Sequence, residues 1–219
     1  MSMDAGAYPV TYDVETQPVR RNRLTTAFRI ILAIPHLIVV GGPGIFGGGW
    51  PAGTADGDGS RNGSGGGSAL GTAAFVMAVL SWFAIVFTGK QPRGLWDFTR
   101  FFLTWRSKAV AYTALLRDEY PPFGDGEYPV TFGVGEFPET RDRLRVGFRL
   151  ILAIPQFIVL LFISIAWVMT AIIGWFAILF TGAYPEGLYR FAVGYLRWSL
   201  RVESYVLLMH DEYPPFSLD

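Results

Sequence analysis

The 219 residues are 51% hydrophobic, 16% aromatic and only 16% charged, with 18 basic side chains balancing 18 acidic ones. A chain without net charge offers no broad basic field to nucleic acid. The absence of cysteine excludes a disulfide framework and thiolate chemistry, while leaving the redox compartment open.

In chain order, the opening MSMDAGAYP lacks the basic and apolar regions of a signal peptide, so insertion is expected to use internal apolar segments. YPVTYDV, Tyr8–Val14, alternates aromatic or β-branched residues with turn-prone ones and predicts a short cytosolic strand. Two apolar segments follow, Leu24–Val40 and Ala69–Phe87, each close to the length a helix needs to cross a hydrocarbon core. Between them, residues 41–68 are rich in Gly and Ser and have the composition of a flexible loop. Gly94–Leu116 reads as a further helix, though Arg100, Arg106 and Lys108 do not share one sector.

The chain then repeats itself. YPVTFGV at Tyr128–Val134 and the segment Arg143–Leu160 return 120 residues after their counterparts. WFAILFTG (Trp175–Gly182) and HDEYPPF (His210–Phe216) return after only 93, because the glycine-rich stretch is missing. Two repeats result, 8–123 with its loop at 41–68, and 128–216 without it. The second contains an apolar run from Leu150 to Phe180 with no charged side chain. As one straight helix, Leu144–Phe180 would reach ~55 Å, against ~30 Å of hydrocarbon. A hairpin turning near Ser164–Trp167 fits the length and the repeat register, although no Gly, Pro or Asn marks the turn.

Arg20, Arg21, Arg23, Lys90, Arg93, Arg141, Arg143 and Arg145 gather at the ends of the proposed hairpins away from the loop, which holds only Arg61. The positive-inside rule puts those ends and both termini in the cytoplasm. The expectation is a mainly α-helical integral membrane protein of the cell membrane with four crossings. Each repeat would combine a transmembrane hairpin, an amphipathic interfacial helix and a short cytosolic β-strand. From Gly187 onward, Arg190, Arg197 and Arg201 share a narrow sector opposite Leu188, Ala192, Tyr195, Val202 and Val206, the pattern of an interfacial helix facing water or anionic lipid.

Candidate sites are few. His36 follows Pro35 inside the first apolar segment, and Gln156 holds the matching position. A polar side chain hydrogen-bonded between helices is the simpler reading of this pair, with a proton or ligand site as the alternative. Arg29 and Arg149 also match; they would snorkel to the interface and contact lipid, or pair with an acid such as Asp97, Glu186 or Glu203. The adjacent carboxylates Asp118–Glu119 and Asp211–Glu212 read as solvated tails. No nucleophile–base set, metal set or phosphate loop stands out, so no catalytic residue, metal or cofactor is expected.

FRIILAIPHLIVV (Phe28–Val40), WFAIVFTGKQPRGLWDF (Trp82–Phe98) and RDEYPPF (Arg117–Phe123) resemble the uncharacterised membrane family called domain of unknown function 4389. FRLILAIPQFIVL (Phe148–Leu160), WFAILFTGAYPEGLYRF (Trp175–Phe191) and HDEYPPF resemble it again. The resemblance implies a bacterial or archaeal integral membrane protein and brings no catalytic residues. The expected function is a non-enzymatic membrane scaffold that organises anionic lipid or a partner protein. A small transporter or channel, as a homo-oligomer, is the alternative; no nucleic acid is expected.

Overall fold

The computed structural model describes residues 8–16, 21–43 and 68–219. The expectations placed on Arg20, Arg61 and most of the glycine-rich loop lie outside those residues. In the first copy the elements are β1 (Val10–Val14), α1 (Arg23–Ala27), α2 (Arg29–Val40), α3 (Ala69–Thr88) and α4 (Arg93–Thr113). The second contributes β2 (Val130–Val134), α5 (Arg143–Gly147), α6 (Arg149–Thr181) and α7 (Glu186–Val206). Their boundaries follow local chemistry. Asn22 and Asp142 cap α1 and α5, each accepting two backbone N–H bonds. Gly89 and Gly182 end α3 and α6 in the left-handed conformation.

The expected hairpin in the second copy does not form. α6 runs unbroken through Ser164–Trp167, because that stretch carries no residue that would favour leaving the helix. By repeat position, α2 matches the first 12 residues of α6 and α3 matches its last 20. Only Leu161 remains opposite the residues 41–68 of the first copy. The glycine-rich insertion therefore interrupts a helix rather than joining two antiparallel ones. Among the described residues, the four expected crossings reduce to two helices long and apolar enough to cross a membrane, α3 and α6.

Breaking a helix leaves carbonyls without partners, and the first copy supplies replacements. Gly41, at φ 82°, turns its N–H back to the Leu37 carbonyl. Arg106 Nη1 donates to the Val40 carbonyl at 2.8 Å, and Arg106 Nε donates to the buried Glu203 carboxylate at 2.9 Å. The repeat equivalents of Arg106 and Glu203 are Ser199 and Val110. There α6 is continuous and Leu160 needs no external donor.

α4 and α7 form the middle layer. On one side lies a ribbon of β1 and β2; on the other lie α2 and α3, end to end along α4, and α6 along α7. This corrects the reading of α7 as an interfacial helix. Its apolar side packs on α6, as in the stacked rings of Trp167 and Tyr195, and its arginine side is covered by β1 and the C-terminal tail. Between Ala192 and Tyr205 nearly every α7 residue is buried.

The two copies embrace reciprocally. β1 and β2 pair antiparallel with Tyr12 opposite Phe132, its own repeat equivalent. The Arg21 N–H donates to the Gly182 carbonyl at the end of α6, and the Arg141 N–H donates to Gly89 at the end of α3. Trp175 Nε1 bonds the Thr26 carbonyl, and Trp82 Nε1 bonds Val146, both at 3.1 Å. These matched pairs define an approximate two-fold axis through the centre of the ribbon. The axis exchanges two antiparallel rods, α2–α3 and α6.

Arg106→Ala should lower stability by about 3 kcal/mol, because it leaves Glu203 buried without its cation and Val40 without its donor. Ser199→Ala should change it by less than about 1 kcal/mol. Thermal unfolding of the two variants in the same detergent checks the contrast.

Candidate functional site: two arginine-floored grooves

The first turn of each rod carries a fully buried arginine, Arg29 at 2% and Arg149 at 1% exposure. Arg29 Nη2 meets Asp118 Oδ1 at 2.6 Å, while its Nη1 donates to the carbonyls of Arg117 (2.7 Å) and Tyr112 (3.3 Å). Arg149 repeats the arrangement with Asp211 at 2.6 Å and the carbonyls of Tyr205 and His210 at 2.9 and 2.8 Å. Each guanidinium also lies over a tyrosine ring, Tyr112 or Tyr205. A second buried arginine joins each aspartate, Arg21 at 3.4 Å and Arg141 at 3.3 Å. Burial lowers the pKa of Arg141 to about 10, with Asp211 acting against that shift.

These pairs replace the snorkelling expected for Arg29 and Arg149, and the partners are not Asp97, Glu186 or Glu203. The turn after α4 and α7 explains the difference. Leu115 and Leu208 take left-handed backbone angles, φ 63° and 64°, so the chain reverses and brings Asp118 and Asp211 back to the rods. The DEYPPF tails are thus folded in at their aspartates rather than solvated there.

Above each buried arginine opens an apolar groove between the rods. The first, about 510 Å³, has Arg29 and Leu115 at one end and Trp167, Ile172 and Phe176 of α6 along its wall. The second, about 300 Å³, places Arg149 and Leu208 against Val79, Trp82 and Phe83 of α3. The grooves occupy matching repeat positions and fall in the size range of small-ligand sites. They exist because the two rods meet through α1 and α5 at their ends and do not pack along their length among the described residues.

The other candidate residues lie elsewhere. His36 is buried: its Nδ1 accepts from Trp105 Nε1 at 3.2 Å and its ring stacks on Phe123. Gln156 is bonded likewise, its Oε1 accepting from Trp198 Nε1 and its Nε2 donating to the Pro214 carbonyl. Both join rod to middle layer and tail. Arg197 donates to the Tyr12 and Leu218 carbonyls, and Arg201 to Asp219 while lying over Tyr8. Arg190, exposed, pairs with Glu186. Gly174 is needed for contact: the Tyr184 ring occupies the space a Cβ would fill. Among the described residues, no group of three or more His, Asp or Glu is gathered as a metal site.

The family model described as Domain of unknown function (DUF4389) matches residues 67–124 and 143–217, more than half of the chain in two stretches consistent with tandem copies. The protein belongs to that family. No curated protein and no solved structure matches it.

Asp211→Asn would leave Arg141 and Arg149 buried without an anion and should cost about 3–5 kcal/mol. Glu186→Gln removes only an exposed i,i+4 pair and should cost about 0.5 kcal/mol or less. Denaturation of both variants tests the difference.

His210 is pushed down to about 3 by burial, then by the charges of Arg149 and Arg141, with the Glu212 backbone opposing. Between the ordinary value of 6.5 and about 3, the unfolded chain binds a proton that the folded chain refuses. Stability should therefore fall as pH drops through that window, by up to about 1.4 kcal/mol per pH unit. His210→Gln should flatten this part of the pH–Tm curve.

Proposed function

We propose that this protein is a non-enzymatic, membrane-associated module that organises lipid, with both chain ends on the cytoplasmic side. The observation that carries the reading is the location of exposed apolar surface. Among the described residues, the exposed large apolar side chains lie on α1–α3, α5, α6 and their junctions, or in the two EYPPF tails. The middle layer and ribbon have none. Along α6 the exposed face runs from Leu150 through Ile158, Ile165 and Ile172 to Phe180 without a charge. Such a surface greatly exceeds what a monomer in water leaves uncovered. Lipid chains satisfy it, and the grooves offer places where individual chains would be held.

Exposed cations near the rod ends supply the electrostatic part. Arg23 lies against the Phe180 carbonyl at the end of α6, and Arg143 beside Gly89 at the end of α3, with Lys90, Arg93 and Arg145 nearby in sequence. They replace Arg197 and Arg201 as the preferred contacts with anionic headgroups, since those two hold β1 and the tail. Recruitment of a partner protein is compatible with this anchoring. The transporter or channel alternative has less behind it, because both grooves are walled by apolar side chains and Arg29 and Arg149 are already ion-paired.

The protein should co-float with vesicles, more strongly when these contain anionic lipid. Neutralising Arg23, Arg143 and Arg145 together should weaken that preference by about 1 kcal/mol per residue, roughly fivefold each. Ile165→Asp should reduce flotation with neutral and anionic vesicles alike, whereas Asp13→Asn on the ribbon should leave it unchanged. Flotation that ignored all of these substitutions would overturn the reading.

A further inference from the structure

We infer that the two rods lie flat in a single leaflet, parallel to the membrane plane, instead of crossing it. The inference rests on the membrane reading above and specifies its geometry. It follows from the direction of the approximate two-fold axis. Because the axis exchanges antiparallel rods, it runs perpendicular to both and passes the middle of their length, with the ribbon at its far end.

If α6 stood upright across a bilayer, this axis would lie in the membrane plane at mid-depth. The ribbon would then sit level with the bilayer centre, with Thr11 exposed and the Asp13 side chain 76% exposed. α7, antiparallel alongside α6, would carry Arg197, bonded to the Tyr12 carbonyl of the ribbon, to the same depth. An exposed carboxylate there is strongly disfavoured. A helix of 33 residues is also ~50 Å long. Fitting it to ~30 Å of hydrocarbon requires a tilt of about 50°, beyond the usual range for crossing helices.

With the rods flat, the axis becomes the membrane normal and these conflicts vanish together. The apolar faces of α2, α3 and α6 then meet lipid along their full length. The middle layer lies behind them and the ribbon faces water. Leu24 and Leu144, both 73% exposed at opposite ends of the rods, reach the same depth. The exposed cations Arg23 and Arg143, at those same two ends, face headgroups of one leaflet. Two short helices at opposite ends of a crossing bundle would instead face two different leaflets. The occupant is thus one lipid leaflet, matched by an uncharged face with basic ends. A second copy of the chain would have to place like-charged ends within reach of one another.

The chain contains no cysteine, so single cysteines can be introduced without removing any. Full-length protein in vesicles would carry a fluorophore at Ile151→Cys, Ile165→Cys or Phe180→Cys on α6. Ile30→Cys and Phe87→Cys provide an independent set on the other rod, and Thr11→Cys marks the ribbon. Lipids brominated at different acyl positions would quench the label according to depth. A flat arrangement gives all five rod positions one common depth and leaves Thr11→Cys unquenched. An impermeant thiol reagent should modify Arg23→Cys and Arg143→Cys from the same side of the vesicle.

A centre-deep, ends-shallow profile along α6, with Arg23→Cys and Arg143→Cys reactive from opposite sides, would overturn the flat arrangement while leaving membrane association intact. Absence of quenching at every rod position would overturn both, and would point to a second copy or another protein covering the face.

Discussion

A guanidinium removed from water requires an anion and several acceptors, and Arg29 and Arg149 receive them from one place each. Asp118 and Asp211 sit just past the helices of the middle layer, where Leu115 and Leu208 have already reversed the chain. A leucine held at positive φ is strained by roughly 1–2 kcal/mol. The strain is retained twice because the reversal delivers both a carboxylate and carbonyl acceptors to the same cation. Rod, middle layer and tail are thereby fastened in each repeat, with His36 or Gln156 as a second fastening further along the rod. The floor of each groove is the arginine fastening.

Duplication supplies the remaining stability. A two-stranded ribbon is marginal in isolation, but here each strand comes from a different copy and rests on a different middle-layer helix. α1 closes the far end of the second rod, and α5 closes the far end of the first. Each copy holds its own C-terminal tail but leaves its N-terminal strand to the other copy's middle-layer helix. The repeat is a unit of sequence, whereas the pair is the unit of folding.

Much of this was legible in the residues. The strands, the apolar helices and the offset between copies follow from alternation, length and register alone. The hairpin expected near Ser164–Trp167 rests on a run too long for one upright crossing, on the basic clusters, and on taking the first copy as the template for the second. The missing turn residues pointed the other way, to an intact helix from which the first copy departed. The arginine sector of α7 was real, but periodicity does not distinguish a face turned to solvent from one covered by a distant strand. In the sequence Asp118 and Asp211 read as solvated, because adjacent carboxylates on a tail are normally hydrated. A signal did exist: one cation and one acid recur at matching positions in both copies, as a buried pair requires.

The interrupted rod has a consequence for the covalent chain. Val40 is held by Arg106, and Ser68 begins α3 with its own cap, so each side of the gap is anchored independently. The ion pairs, caps and ribbon described above are all made by residues outside 44–67. A polypeptide supplied as two fragments, divided within that stretch, would carry every one of those contacts and could reassemble by complementation. The same position could serve as new termini after circular permutation, or receive an inserted domain without disturbing the ion pairs beneath the grooves.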